Sequence, residues 1–156
     1  MGLGNISITG NYPEVSTETM LSKLNTLKEP FQKNFNPHVN DRIDRIKRIQ
    51  ILVEENIDDF HKALRLDFGT RHEQLSLMAD TMPVINNAKH ALKNIKKWIK
   101  PEKRKPNFPL GLLGSKAYIQ FQPYGVVGII SPWNFPLTLS IAPLIEIFEA
   151  GNNAKM

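Results

Sequence analysis

Cysteine is absent from all 156 residues, which excludes disulfides, cysteine-based metal sites and any thiol nucleophile supplied by this stretch of chain. Histidine is scarce. His38, His61, His72 and His90 stand at no metal-ligand spacing, so they point to surface or capping roles and no metal is expected. Long apolar runs are also lacking: none approaches the roughly 20 residues that span a bilayer. The opening MGLGNISITGNYP has neither a basic n-region nor an apolar h-region, so a soluble, cytoplasmic protein without a membrane partner is expected. Glycine is too sparse for a complete dinucleotide fingerprint. Gly125 and Gly128 supply half of one and the remaining glycine is missing.

What is present is globular in balance, with 41% hydrophobic and 22% charged residues. Residues 1–15 are polar and aperiodic and are expected to be a mobile arm. Met20, Leu24, Leu27 and Phe31 then fall at helical spacing until Asn36 and Pro37 interrupt them. A second helix is expected from there to Gly69. Its stripe is Ile43, Ile46, Val53, Ile57, Phe60 and Leu64, with Asp41 and Arg45, and Asp44 and Arg48, as i,i+4 pairs on its solvated side. Thr70 and Glu73 have capping-box spacing, and Leu75, Met78, Met82, Ile85, Leu92, Ile95 and Ile99 continue a long third helix. Pro83 predicts a kink or short break in the turn before it, because proline removes an amide donor.

After this helix the pattern changes. Pro101, Pro106 and Pro109 mark an irregular linker, and Ala117 to Gln122 alternates like a strand with one polar face. The run Val126 to Ile130, bounded by Gly125 and Pro132, reads as a short buried strand, set off from its predecessor by a change of sheet or by a sharp bend. Pro136 can open a helix that is apolar around most of its circumference. Gly151 ends that helix, and Asn152 to Met156 resemble the opening of another strand. Such a strand needs neighbours on both sides, so the chain is expected to be the N-terminal portion of a longer protein.

In open α/β sheets, ligands bind outside the carboxyl ends of strands, which draws attention to Ser131, Pro132, Trp133 and Asn134. Asn134 lies between two prolines on a strand-to-helix turn. Its carboxamide can donate to developing negative charge as an oxyanion stabiliser, or accept a backbone amide as an ordinary helix cap. Trp133 can contact a ligand or serve as a cleft-wall aromatic. Glu146 and Glu149, on the apolar helix, are expected to face a polar groove or a neighbouring subunit.

The stretch QPYGVVGIISPWNFPL, followed by Ala142-Pro143 and Glu149-Ala150-Gly151-Asn152, closely resembles the aldehyde dehydrogenase superfamily. The likeness covers roughly residues 17–156. Within the family, Asp67-Phe68-Gly69 and the basic lead into Lys100-Pro101 are most similar to the coniferyl aldehyde dehydrogenase subgroup. The resemblance implies an α/β fold in which N-terminal helices lead into the first βα unit of a Rossmann-like nucleotide-binding domain. The expected divisions are a helical region over 16–105, a linker and oligomerisation-type strand over 106–124, and the truncated start of the nucleotide-binding domain over 125–156.

The resemblance further implies oxidation of an aldehyde to a carboxylic acid with NAD or NADP as cofactor, and a homodimer or homotetramer at full length. It gives Asn134 the role of holding the substrate oxygen. Ile130, Ser131, Pro132 and Trp133 would line the nicotinamide end of the cofactor cleft, with Trp133 flanking the aldehyde tunnel. The family's cysteine nucleophile, its glutamate base and its cofactor-contacting lysine have no counterpart here, Lys155 not being that lysine, so the chain alone is expected to be inert. The family binds the cofactor's pyrophosphate through a later segment. The rival reading is a basic nucleic-acid-binding module built on the cations from Lys89 to Lys105, or an interaction module pairing through the strand Ala117 to Gln122. A cationic helix end followed by a solvated linker explains the same charges without nucleic acid.

Overall fold

A computed structural model describes residues 15–156; the expected arm lies outside them save for Val15. Four helical stretches come first: α1 (Thr17–Lys33), α2 (Val39–Glu55), α3 (Ile57–Phe68) and the single turn α4 (Glu73–Ser76). A π-helical turn over Leu77–Thr81 then runs into α5 (Met82–Trp98). Strands β1 (Glu102–Arg104) and β2 (Ala117–Ile119) pair antiparallel, while β3 (Val126–Gly128), α6 (Pro136–Glu149) and β4 (Asn153–Lys155) form a parallel βαβ unit. The separation of β2 and β3 into different sheets, and the strand after Gly151, are both as expected.

The core is a three-helix cluster. Ile46, Ile49 and Val53 of α2 meet Val84, Ala88, Ala91 and Ile95 of α5, and Ile141 and Ile145 of α6 close the third side. Seven of these side chains are fully excluded from water, and each large aliphatic one contributes about 1.5–3 kcal/mol by leaving water. The small residues Ala88 and Ala91 let the helices approach closely.

Three expectations are corrected by the helices. The chain from Val39 to Phe68 is two helices, because Asn56 interrupts it by turning its amide Nδ2 back onto the Leu52 carbonyl at 2.7 Å. Leu75, Met78 and Met82 are exposed. The buried line instead runs Ser76, Asp80, Val84, Ala88, Ala91, Ile95, so polar residues occupy its first half. The cap before α4 is His72, whose Nδ1 accepts from the Gln74 amide, and not Thr70. His38 caps α2 in the same way, through the Asn40 amide. Only His61 is buried, against Thr81 at 3.1 Å.

The linker is less irregular than expected, since Glu102–Arg104 forms the strand that pairs with Ala117–Ile119. The strand at Val126 is half-buried rather than buried, with Gly128 exposed. Of the two expected helical ion pairs only Asp44 and Arg48 is formed, at 3.0 Å. Arg45 leaves Asp41 and reaches the βαβ unit, donating to Asn153 Oδ1 and lying over the Phe148 ring.

The βαβ unit is fastened to the helices by polar groups. Arg42 is buried in α2 and donates to the carbonyls of Pro37 and Glu149, both at 3.0 Å, and to Asn36 Oδ1 at 2.7 Å. Burial, reinforced by the neighbouring Arg45 charge, lowers its pKa from the ordinary guanidinium value. Gly151 passes directly over this guanidinium with φ +86°, so no side chain fits there. Buried Asn152 accepts the Gly125 amide at 2.8 Å, and Asn153 donates to the Leu27 carbonyl of α1 at 3.1 Å.

Candidate active site at the strand-to-helix turn

The turn from Ile129 to Phe135 leaves the carboxyl end of β3 and enters α6. Ile130 is fully exposed and Trp133 is 86% exposed, while Asn134 is also open to solvent. Ser131 is half-buried and turns its hydroxyl toward the Pro132 carbonyl at 3.2 Å. Thus Ile130, Ser131, Pro132, Trp133 and Asn134 share one turn at the end of the strand, and three of its largest side chains face outward.

What holds this turn is a polar cluster that sequence inspection did not single out. Its origin is Pro83. In a regular helix the Ala79 carbonyl would accept from residue 83, but proline has no amide hydrogen. The helix widens one turn earlier, with the Met82 amide bonded to the Leu77 carbonyl, which meets the expectation of a break before Pro83. The orphaned Ala79 carbonyl then lies 2.7 Å from the Thr138 hydroxyl, and the Asp80 carbonyl lies 2.9 Å from it. The π turn is thereby satisfied by α6.

Asp80 is completely buried and uses both carboxylate oxygens. Oδ1 accepts the amides of Leu137 and Thr138 at 3.2 and 3.3 Å, while Oδ2 accepts Arg71 Nη2 at 2.5 Å. Phe135, at the N-cap position of α6, offers no side-chain acceptor, so a carboxylate from another helix caps it instead. Arg71 continues the chain of contacts by donating Nη1 to the Asn134 carbonyl at 3.0 Å. Its guanidinium lies over the rings of Phe68 and Phe135 at 4.7 and 5.0 Å. The signal for this network was available in part: a proline inside a helical pattern leaves a carbonyl that something else must satisfy.

Asn134 therefore does not act as the cap of α6; that position is occupied by Asp80. Its carboxamide stands clear of the helix amides, on a backbone tied through its own carbonyl. Such a group can donate to a ligand oxygen held above the turn.

Exposed Ile130 and Trp133 stand at the carboxyl end of β3, and the βαβ crossover puts them where α/β sheets take ligands. Phosphates do not fit the same turn. Pro136 contributes no amide and the next two amides are taken by a buried carboxylate, so the N-terminus of α6 is closed to anions. Among the described residues no group of side chains could hold a metal ion, and no helix is long and apolar enough to cross a membrane.

The cations from Lys89 to Lys105, on which the rival nucleic-acid reading rests, are divided between elements. Lys96 and Lys97 stand in the last turn of α5, where the helix dipole favours positive charge, Lys89 pairs with Glu54 at 3.5 Å, and Lys103 and Arg104 belong to β1. Trp98 stacks obliquely on His90 at 5.4 Å. On α6, Glu146 is exposed and Glu149 is half-buried, its carboxyl pushed up to about 6 by burial and then by Glu146. Glu149 lines a cavity of about 540 Å³ with Arg42, Trp98 and Tyr124.

Comparison with known proteins agrees with this architecture. The aldehyde dehydrogenase family model matches residues 5–154. A probable coniferyl aldehyde dehydrogenase of Caulobacter vibrioides is 44% identical over 121 residues, covering 77% of this chain and 25% of that protein. A coniferyl aldehyde dehydrogenase of a Pseudomonas species is 36% identical over 152 residues, covering 97% and 31%. The solved substrate-bound state of Staphylococcus aureus AldH superposes with a TM-score of 0.78 at 28% identity, covering 86% of this chain and 29% of that one. The chain spans about a quarter to a third of the length of these relatives. On the strength of the family match and of the anchored turn that carries its motif, this chain belongs to the aldehyde dehydrogenase family.

Proposed function

We propose that these residues serve an enzyme that oxidises an aldehyde to the carboxylic acid, with NAD or NADP as hydride acceptor. In this reading Asn134 Nδ2 donates to the carbonyl oxygen as a thiolate adds to the carbon, and the bond strengthens as that oxygen becomes an alkoxide. When bound, the nicotinamide would supply the acceptor for the hydride lost from the substrate carbon. The cysteine nucleophile and the glutamate base come from outside these 156 residues, which contain no thiol and are inactive alone.

Ile130, Ser131, Pro132 and Trp133 form the ledge for the nicotinamide end, and Trp133 also flanks the path of the aldehyde. Its exposed indole favours an aromatic substrate through offset stacking, and coniferyl aldehyde is the candidate that the relatives' names support. Residues 16–105 act as the helical layer, 106–124 as linker and oligomerisation strand, and 125–156 as the opening of the nucleotide-binding domain. β2 pairs with β1 on one edge, which leaves its other edge for a partner in a homodimer or homotetramer. The enzyme is cytoplasmic and acts on a small molecule rather than nucleic acid.

The observation that carries this reading is the exposed Asn134 carboxamide on a turn fastened from behind by Arg71. Its test is Asn134→Ala in the full-length enzyme. Turnover is expected to fall about 10²–10³-fold, the loss that follows removal of one oxyanion donor, with cofactor affinity unchanged. Wild-type turnover in this variant would refute the role.

A further inference from the structure

We propose that Arg71 and Asp80 are positioning residues for Asn134, a buried relay that sets where its carboxamide points. This assignment rests on the oxyanion role proposed for Asn134. The relay holds the junction of turn and helix at two points: Arg71 Nη1 holds the Asn134 carbonyl, while Asp80 Oδ1 holds the amides of Leu137 and Thr138 in the first turn of α6. With the carbonyl of Asn134 and the following helix start both fixed, the direction of its Cα–Cβ bond is fixed. Only rotation about the side chain's own torsions remains.

The two anchors are joined to one another through Arg71 Nη2 and Asp80 Oδ2, and both side chains are at least 96% buried. A buried ion pair is weak evidence for stabilisation, since apolar groups of equal volume commonly serve as well. This pair spends its remaining hydrogen bonds on the Asn134 carbonyl and on the first amides of the helix that follows, which points to orientation. The Phe68 and Phe135 rings keep the guanidinium in plane, and the Thr138 hydroxyl pins α6 to the π turn that presents Asp80. Asp80 is wholly excluded from solvent and Arg71 nearly so, and both act through the backbone.

The test is a double-mutant cycle in the full-length enzyme. Arg71→Lys keeps a cation beside Asp80 but loses the forked link to the Asn134 carbonyl; Asp80→Asn keeps the shape and loses the charge. Each is expected to lower kcat about 10- to 100-fold, the loss that follows misplacement of a reacting group by about an ångström, with the cofactor KM within about twofold. In the Asn134→Ala background the same changes are expected to cost less than about twofold, because the donor they aim is gone. Ile95→Ala, in the helical core away from the turn, controls for destabilisation alone. It is expected to lower Tm and leave kcat within about twofold.

Equal losses in both backgrounds, or an equal kcat loss in Ile95→Ala, would reduce the pair to a structural clamp and overturn the assignment. If Asp80→Asn does not fold, Arg71→Lys carries the cycle by itself. Asn134→Ala alone is the baseline arm. Wild-type turnover there refutes the oxyanion reading and the relay with it, whereas a normal baseline loss with additive cycles refutes the relay only.

Discussion

Gly151→Ala is the substitution whose cost can be worked most fully from the structure. Gly151 adopts φ +86°, a conformation that costs an L-residue roughly 1–2 kcal/mol. A methyl group there would lie 2.6 Å from Arg42 Cζ and 2.7 Å from Nη2. The guanidinium cannot yield cheaply, because it donates to Pro37, Asn36 and Glu149 from a buried position. Displacing it breaks at least one charged hydrogen bond, worth about 1.5–3 kcal/mol. The expected destabilisation is about 2.5–5 kcal/mol in total. Gly69→Ala provides the comparison, since Gly69 also has positive φ, +69°, yet nothing lies within 4 Å of its added methyl. With ψ −41° it lies outside the left-handed helical well, and it should cost only the strain of that sparse region, about 1–3 kcal/mol. Thermal unfolding of the full-length enzyme, with hydrogen exchange of peptides from α2 and α6, measures both. Equal costs for the two alanines would show that the Arg42 clamp contributes nothing.

Ile95→Ala removes a fully buried side chain from the α2–α5–α6 cluster and is expected to cost about 2–5 kcal/mol, read as a lowered urea midpoint with unchanged slope. Glu149→Gln tests a pH dependence. Because the folded carboxyl titrates near 6 against an ordinary 4.5, the folded state binds its proton more tightly. Glu149 therefore makes stability decline as pH rises from about 4.5 to about 6 and adds nothing further above that window. The glutamine variant is expected to unfold at a higher temperature than wild type at pH 8, with the gap closing toward pH 4.5. A gap that is constant with pH would refute the shift.

The strand, the turn and the final helix could be read from the sequence because each has a local cause. β-branched residues between Gly125 and Pro132 make a strand, prolines at 132 and 136 confine the turn, and Gly151 stops the helix. Pro83 announced a break for the same kind of reason. The phase of the long helical region was misread because apolarity alone selected Leu75, Met78 and Met82 as its buried side. The face that packs begins with Ser76 and Asp80, whose polarity is offset by partners distant in sequence. Arg71 and Asp80 are nine residues apart and Asp80 and Leu137 are 57 apart, so no local spacing reveals the cluster that supports Asn134. Asn56 is a single polar residue within an apolar stripe, and its side chain competes for the helix's own Leu52 carbonyl.

The shared α2–α5–α6 core has a mechanical consequence. α6 carries the ligand-facing turn at one end and contributes Ile141 and Ile145 to the same oily interior as the opening helices, so no hinge can operate between them without tearing that interior apart. Under the function proposed above, any closing motion around substrate is borne by parts of the protein outside this core. This block serves as its fixed jaw.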